Sequence, residues 1–195
     1  MTHGSISPQM LEIVPYQLDW PADFERLAGL LRAALGQRAL RVDHIGSTAV
    51  PGLSAKDVID IQVTVEVLSA DIALELRPAG FEQRGDVRVD HVPPGENADC
   101  DQWSKLLFTP PESERRAHVH VRVAGRRNQR YALLFRDYLR AHPATAEAYA
   151  ELKRRLAASL ADPKDYPEVK DPAVDLIYLA AQAWAAQCAW TPAPN

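Results

Sequence analysis

A chain of 195 residues, 47% of them hydrophobic, is long enough to bury one core without the help of a cofactor or a disulfide. Two widely separated cysteines, Cys100 and Cys188, lack metal-ligand spacing and predict free thiols in a reducing compartment. A formal net charge of -4 disfavours binding of bulk nucleic acid, although a local site for an anion stays open.

The hydropathy pattern disfavours a membrane partner. The sequence has no run of the roughly 18 apolar residues needed to cross a bilayer, and Met1 to Pro8 lack the basic and then apolar pattern of a signal peptide. These features predict a cytoplasmic protein. They carry no information on its oligomeric state.

The first third of the chain predicts one helix followed by two strands. Helical spacing of apolar residues extends from Trp20 until Gly36 ends it. Alternation of apolar and polar residues predicts a strand over residues 40–45, which leads into a Gly-Ser-Thr turn at residues 46–48. A nearly continuous β-branched run predicts the strongest strand, residues 58–65, with Asp60 and Gln62 on the same face.

The middle of the chain predicts a short helix and up to four strands. Ser69 is typical of the cap of a helix that extends through Arg77. Weaker strand patterns follow at residues 81–82 and 87–91. Two further strands are predicted over residues 103–108 and 118–123, ordered like a hairpin.

The remainder predicts helices over residues 129–141, 144–161 and 172–188, the last with Asp171 before Pro172 as a typical helix start. The element order predicts an α+β fold with a mixed or antiparallel sheet of about five strands and helices packed on it. We expect residues 1–125 to form the α/β core and residues 126–195 a helical segment that packs on it as one compact unit.

The run HIGSTAVPGLSAKDVIDI, residues 44–61, resembles the signature of the GrpB family. The resemblance continues through residues 118–121 and 135–140, then Tyr149 and Leu152-Lys153, and so covers nearly the whole chain. It implies a fold similar to the polymerase-β-like nucleotidyltransferases, in which a Gly-Ser turn holds nucleotide phosphates. In that fold an acidic-x-acidic pair on the next strand binds divalent metal. This chain departs from the pattern at the second acidic position, which is Gln62.

The resemblance places a phosphate ligand at the turn of Gly46, Ser47 and Thr48. Turn amides solvate phosphate oxygens, and Lys56 in the following loop offers a point charge. Two arginines four residues apart on one helix, Arg136 and Arg140, have the donor geometry for phosphate or carboxylate. The alternatives are a solvated loop lysine and arginines engaged in ion pairs on their own helix.

The predicted catalytic residues are Asp60 and His120. His118 and His120 lie two apart on a predicted strand and therefore point to one face. With Asp60 and His44 they have the nitrogen and oxygen donors of a divalent metal site, for Mg, Mn or Zn. The alternative is a hydrogen-bonded polar cluster without metal.

These residues leave three functions open. The first is a nucleotidyltransferase, or a nucleotide- or phosphate-binding protein, with a single-metal site. The second is a non-catalytic module that binds a phosphorylated metabolite such as coenzyme A or an adenine nucleotide, since domains similar to GrpB occur fused to dephospho-coenzyme A kinase. The third is a metal-dependent hydrolase. All three require that the turn at Gly46 and Ser47, Asp60 and the two histidines line one cavity.

Overall fold

Five strands form one mixed sheet in a computed structural model that describes residues 11–193. The strands are β1 (Arg41–Ile45), β2 (Ile59–Val65), β3 (Glu82–Gln83), β4 (Leu106–Thr109) and β5 (Ala117–Val123). Their spatial order is β1-β2-β5-β4-β3, and only β2 and β5 are parallel to each other; the other neighbours are antiparallel. The predicted α+β class and number of strands are confirmed.

Within the described residues, six α-helices accompany the sheet: α1 (Trp20–Leu35), α2 (Ala70–Leu76), α3 (Cys100–Trp103), α4 (Arg127–Ala141), α5 (Pro143–Ser159) and α6 (Tyr166–Gln187). None of these described helices has the length and apolar character needed to cross a membrane. Met1 to Pro8, on which the signal-peptide argument was based, lie outside the described residues.

The two faces of the sheet have different partners. Alternate residues of β2, Ile59, Ile61, Val63 and Val65, join α1 and α2 in the main apolar core. The opposite face carries Asp60 and Gln62 and meets α4, where the Gln62 side chain donates to the Gln129 carbonyl. Helices α4 to α6 form a second apolar cluster with the loop after β1, so the polar face of the sheet is enclosed by the C-terminal helices.

Two predicted strands in the middle of the chain are wrong in whole or in part. Residues 87–91 form a single bridge, Val89 to Ser104, instead of a strand. Trp103 is the last residue of α3 and not the first residue of a strand. The Asp99 side chain caps the start of that helix, and the Trp103 indole donates to the Asn97 carbonyl. Strand β4 therefore begins later than predicted, at Leu106, and pairs antiparallel with β5 as expected of a hairpin.

The predicted helix start at Pro172 is also wrong, since α6 begins at Tyr166 and includes Pro172 in its interior. Proline removes one backbone donor, which leaves the carbonyl of the residue four positions earlier without its helical partner. That residue, Glu168, and Pro172 itself are both exposed, so water can solvate the carbonyl. Packing of Tyr166 and Val174 on either side holds the helix together.

Candidate functional site

The turn after β1 is pressed against Asp60. Gly46 adopts φ +68° and ψ -170°, a backbone region open almost exclusively to glycine. A side chain at this position would overlap the Asp60 carboxylate and lie 2.9 Å from Asp60 Cβ. The short 3₁₀ turn Ser47–Ala49 follows directly. The chain therefore uses glycine here so that the turn and Asp60 can approach.

Asp60 meets both histidines of β5. The parallel register places Asp60 opposite His118 and Gln62 opposite His120. His118 Nδ1 lies 3.2 Å and His120 Nε2 lies 3.9 Å from the same atom, Asp60 Oδ1. The His118 side chain is 44% exposed and that of His120 is 16% exposed. The turn, Asp60 and the two histidines thus occupy one region of the structure; that they line a common cavity stays a prediction.

The electrostatics of this group keep Asp60 ionised. Burial favours the neutral carboxyl, but hydrogen bonds and charge from His118 and His120 outweigh it and hold the pKa of Asp60 well below its usual value. Burial, followed by the nearby Arg122 cation, lowers the pKa of His120 to about 4. His120 is therefore a neutral imidazole at physiological pH.

A lysine from the C-terminal helices reaches the same turn. Lys153 on α5 is buried, and its Nζ lies 2.9 Å from Ser47 Oγ and 2.5 Å from the Ser54 carbonyl. The pKa of Lys153 is lowered to about 7, mainly by burial and then by the charges of Lys170 and Arg154. Its direct neighbours are the Ser47 hydroxyl, the Ser54 carbonyl and the Tyr149 ring, whose centroid lies 4.6 Å from Nζ.

Two more lysines share this region. Lys56 Nζ lies 3.8 Å from the centroid of the Tyr166 ring. The pKa of Lys56 is lowered to about 8, mainly by burial and then by the charges of Lys170 and Arg116. Burial also lowers the pKa of Lys170 on α6, against the opposing effects of Asp171 and Asp60. We call Lys56, Lys153 and Lys170 the lysine cluster. Asp60 acts electrostatically on all three of its members.

The lysine cluster was only partly predicted. Lys56 was chosen from the sequence, and Lys153 appeared only within the family resemblance. Lys170 lies between Val169 and Asp171 in a helix and carries no motif. Its approach to the site depends on how α6 packs against the other helices, which the local sequence does not encode.

Three predicted phosphate ligands have other partners. Thr48 is buried and its Oγ1 lies 2.9 Å from His44 Nε2. Arg136 is buried, donates to the His44 carbonyl at 3.0 Å and to Asp137 at 2.7 Å, and pairs with Asp43. Arg140 donates twice to the Ala49 carbonyl, at 3.0 and 2.7 Å, and borders a cleft of about 750 Å³ outside the loop. Both arginines brace the turn from the side of α4.

His44 does not join the other predicted metal ligands. The register pairs His44 with Ile61 and Ile45 with Asp60, so the His44 side chain lies on the opposite face of the sheet from Asp60. There it stacks on Phe24 with ring centroids 4.9 Å apart, and burial lowers its pKa to about 4. His44 is a core histidine.

Gln62 is fully buried and both ends of its amide are used. Its Oε1 accepts from Arg122 at 2.7 Å and its Nε2 donates to the Gln129 carbonyl at 3.1 Å. Within residues 11–193, no three histidine, cysteine or acidic side chains are grouped to hold a metal ion. The two-metal carboxylate arrangement therefore does not fit these residues, because the second ligand position is neutral and occupied by an arginine contact.

Asp90 belongs to a neighbouring ionic network. It accepts hydrogen bonds from Lys105 at 2.6 Å, from Arg122 at 2.8 and 2.9 Å, and from Asn128 at 3.0 Å. Burial would raise the pKa of Asp90, but Arg122 and Lys105 hold it well below its usual value. All its contacts are to protein cations and an amide, so Asp90 does not supply a third metal carboxylate.

The fold and the site define a class: an α+β protein in which a glycine turn, an aspartate-histidine pair and a lysine cluster meet at the polar face of a mixed sheet. The family model described as GrpB protein matches residues 10–179. The chain belongs to the GrpB family.

Known relatives agree with this placement. GrpB from Enterococcus faecalis has a solved structure that superimposes with a TM-score of 0.72 at 31% identity, over 89% of this chain and 99% of that one. A UPF0157 protein of Deinococcus radiodurans is 41% identical over 77% of this chain and 71% of its own length. A protein of Mycolicibacterium paratuberculosis named dephospho-CoA kinase is 36% identical over 93% of this chain and 48% of its own. This chain thus spans about half the length of the kinase-named relatives that it matches.

Proposed function

We propose that this chain binds a phosphorylated small molecule, of the nucleotide or coenzyme A class, at the lysine cluster and the Ser47 turn. The observation that carries the proposal is the contact of Lys153 with Ser47, together with Lys56 and Lys170, which come from a loop and a second helix and whose charges act in the same region. Cations on separate elements repel one another and lose hydration when they are buried together, so their proximity costs stability unless an anion binds.

The charge balance favours a multiply charged anion. Asp60 acts electrostatically on all three lysines, and Asp171 and Asp175 act on Lys170 alone. Arg116 adds positive charge near Lys56, and Arg154 adds it near Lys153. A phosphate or diphosphate supplies the missing negative charge and several acceptor oxygens for the ammonium groups and the Ser47 hydroxyl.

The relatives support the choice of ligand class. The mycobacterial relatives carry the name dephospho-CoA kinase, which describes an enzyme of coenzyme A and adenine nucleotides. The region shared with this chain covers about half of those proteins, so a shared ligand class is the inference drawn here, and the kinase reaction is not transferred.

Nucleotidyl transfer is the second candidate function, favoured by the contact between the Gly46 turn and Asp60. That reaction uses metal-bound carboxylates to neutralise the charge of a triphosphate. Here Asp60 is a single carboxylate beside a neutral, buried Gln62. Binding is therefore proposed ahead of transfer. One metal ion held by Asp60 and a histidine stays a prediction, and the same experiment tests it.

The test is a thermal-shift screen with phosphate, ATP and coenzyme A, each with and without Mg, Mn or Zn. A ligand at 100 times its Kd stabilises the folded state by about 2.7 kcal/mol. For a chain of this size that corresponds to a rise in Tm of roughly 5–10 °C. We expect this rise without metal, and its loss in Lys153→Met and Lys170→Met.

The matched control is Lys164→Met, because Lys164 is exposed and lies in the turn just before α6. We expect this variant to keep the full rise in Tm. Equal shifts in all four proteins, or none in the wild type, would overturn the binding proposal. A shift that occurs only with metal would instead favour nucleotidyl transfer.

A further inference from the structure

His118 and His120 both face Asp60, but they do so with different ring nitrogens. His118 presents Nδ1 to Asp60 Oδ1, whereas His120 presents Nε2. A neutral imidazole carries one proton, and which nitrogen holds it follows from the partners of both nitrogens. The tautomer of each histidine can therefore be derived from its neighbours.

The partners of His120 place its proton on Nε2. Its Nδ1 lies 3.4 Å from Lys105 Nζ and 3.5 Å from Arg122 Nη2. Ammonium and guanidinium groups only donate hydrogen bonds, so Nδ1 must accept and cannot carry a proton. The proton is then on Nε2, which points at the ionised Asp60 carboxylate.

The partner of His118 places its proton on the other nitrogen. An ionised carboxylate only accepts hydrogen bonds, so the Nδ1 that lies 3.2 Å from Asp60 Oδ1 carries the proton. The lone pair is left on Nε2, at the far side of a ring that is nearly half exposed.

The surrounding network fixes this difference. Asp90 accepts hydrogen bonds from Lys105 Nζ at 2.6 Å and from Arg122 Nε at 2.8 Å. Gln62 Oε1 accepts from Arg122 Nη1 at 2.7 Å. The two cations therefore cannot turn away from His120 Nδ1 without breaking buried ion pairs.

We infer that His118 Nε2 is the proton acceptor that this site offers to a ligand hydroxyl or a water molecule, and that His120 is fixed in its Nε2-H form, with that nitrogen 3.9 Å from Asp60 Oδ1. Lys105 and Arg122 are the positioning residues that hold His120 in this state. The inference rests on the proposed function only in assuming that a ligand binds beside Asp60. It assigns this role to His118, whereas the sequence predicted His120, with Asp60, as the catalytic residues.

The experiment is a long-range nitrogen-proton NMR spectrum of the full chain labelled with ¹⁵N-histidine, recorded at pH 8. This spectrum distinguishes the two neutral tautomers, and His118→Asn and His120→Asn assign the signals. We expect the Nδ1-H form for His118 and the Nε2-H form for His120. The reverse assignment for either histidine would overturn the inference.

The Asp60→Ala variant gives a second measurement. Neutral imidazole in water favours the Nε2-H form, so His118 is expected to change to that form when the carboxylate is removed. His120 keeps the Nε2-H form because Lys105 and Arg122 remain. His91, whose Nε2 lies 3.0 Å from Asp175, is an internal control that does not change. An unchanged His118 in this variant would contradict the role given to Asp60.

Lys105→Met tests the positioning role. We expect part of the His120 population to change to the Nδ1-H form, and Lys105→Arg to restore the original spectrum.

Adding saturating ATP to the wild type should shift the His118 Nε2 signal and leave that of His120 in place; a shift confined to His120 would count against the inference. The tautomers are measured without ligand, so a failed binding screen and a failed tautomer assignment are separate results.

Discussion

Lys153 Nζ and Ser47 Oγ lie 2.9 Å apart although 106 residues separate them in the chain. This contact joins helix α5 to the turn after β1 and places a buried ammonium where the turn offers its hydroxyl. The C-terminal helices therefore supply much of the positive charge of the site, whereas the sheet supplies Asp60 and its histidines.

Anion binding is expected to take up protons. The pKa of Lys153 is lowered to about 7 and that of Lys56 to about 8, so both are partly neutral between pH 7 and 9. An anion favours their charged forms and raises both pKa values, so affinity falls as pH rises through this range. Calorimetric titration with sulfate, whose charge is constant over this range, measures the proton uptake when it is carried out in two buffers of different ionisation enthalpy.

The observed enthalpy should differ between the two buffers, and the difference should be smaller for Lys153→Met. Lys164→Met is expected to behave like the wild type, because Lys164 lies outside the lysine cluster. Identical enthalpies in both buffers would show that no lysine changes its protonation on binding.

Gly46→Ala separates backbone strain from the contact with Asp60. The matched control is Gly52→Ala, which also has a positive φ, +79°, but has open space where its Cβ would lie. We expect Gly52→Ala to lower the free energy of unfolding by about 1 kcal/mol, from strain alone. Gly46→Ala combines a glycine-only conformation with overlap on Asp60, and we expect a loss of about 3 kcal/mol.

Chemical denaturation of both variants measures these losses. Gly46→Ala should also move the His118 signals in the NMR spectrum described above, whereas Gly52→Ala should not. Equal losses in the two variants would mean that the turn and Asp60 are not in contact.

Restoring the second acid is not expected to create a metal site. Gln62→Asp shortens a fully buried side chain that now bonds Arg122 and the Gln129 carbonyl. The loss of these bonds should lower the free energy of unfolding by about 2 kcal/mol. We expect no rise in Tm with Mg or Mn, because the new carboxylate is next to the Arg122 guanidinium.

Gln62→Glu is the matched variant, since it keeps the length of the side chain and loses only the donor to Gln129. It should be less destabilised than Gln62→Asp. A metal-dependent rise in Tm in either variant, absent from the wild type, would show that the pocket is open to a metal.

Arg136 is expected to act on stability and not on ligand affinity. Its guanidinium is buried between Asp43, Asp137 and the His44 carbonyl. Arg136→Met should lower the free energy of unfolding by about 3 kcal/mol, because it leaves buried acceptors without their partner. The sulfate Kd at pH 7 should change less than about two-fold, which corresponds to 0.4 kcal/mol.

Arg155→Met is the control on the neighbouring helix α5, because the Arg155 side chain is 78% exposed. Its effect on stability should be within about 0.5 kcal/mol. A large loss of sulfate affinity in Arg136→Met, with stability unchanged, would restore Arg136 as a phosphate ligand.

Patterns within single elements predicted the fold well. The alternation in β2 gave its apolar and polar faces, and the two-residue spacing of His118 and His120 put both rings on one face. The α6 start was wrong because a proline on an exposed helix face costs less than the local pattern assumes.

Relations between elements could not be predicted in the same way. His44 lies between Asp43 and Ile45, one polar and one apolar residue, so its face depended on the strand register with β2. Helical spacing placed Arg136 and Arg140 on one face, but it could not predict which residues that face contacts. Lys170 carries no motif, and its place in the site follows only from helix packing.

The parallel pairing of β2 with β5 also sets the order in which the site can form during synthesis. Asp60 and His118 are separated by 58 residues, a much longer loop to close than in a hairpin, so this contact is entropically costly and slow to form. A growing chain on the ribosome holds Asp60 without its histidine until β5 emerges, and without Lys153 and Lys170 until two more helices follow. The proposed binding site is therefore among the last parts of the molecule to be completed.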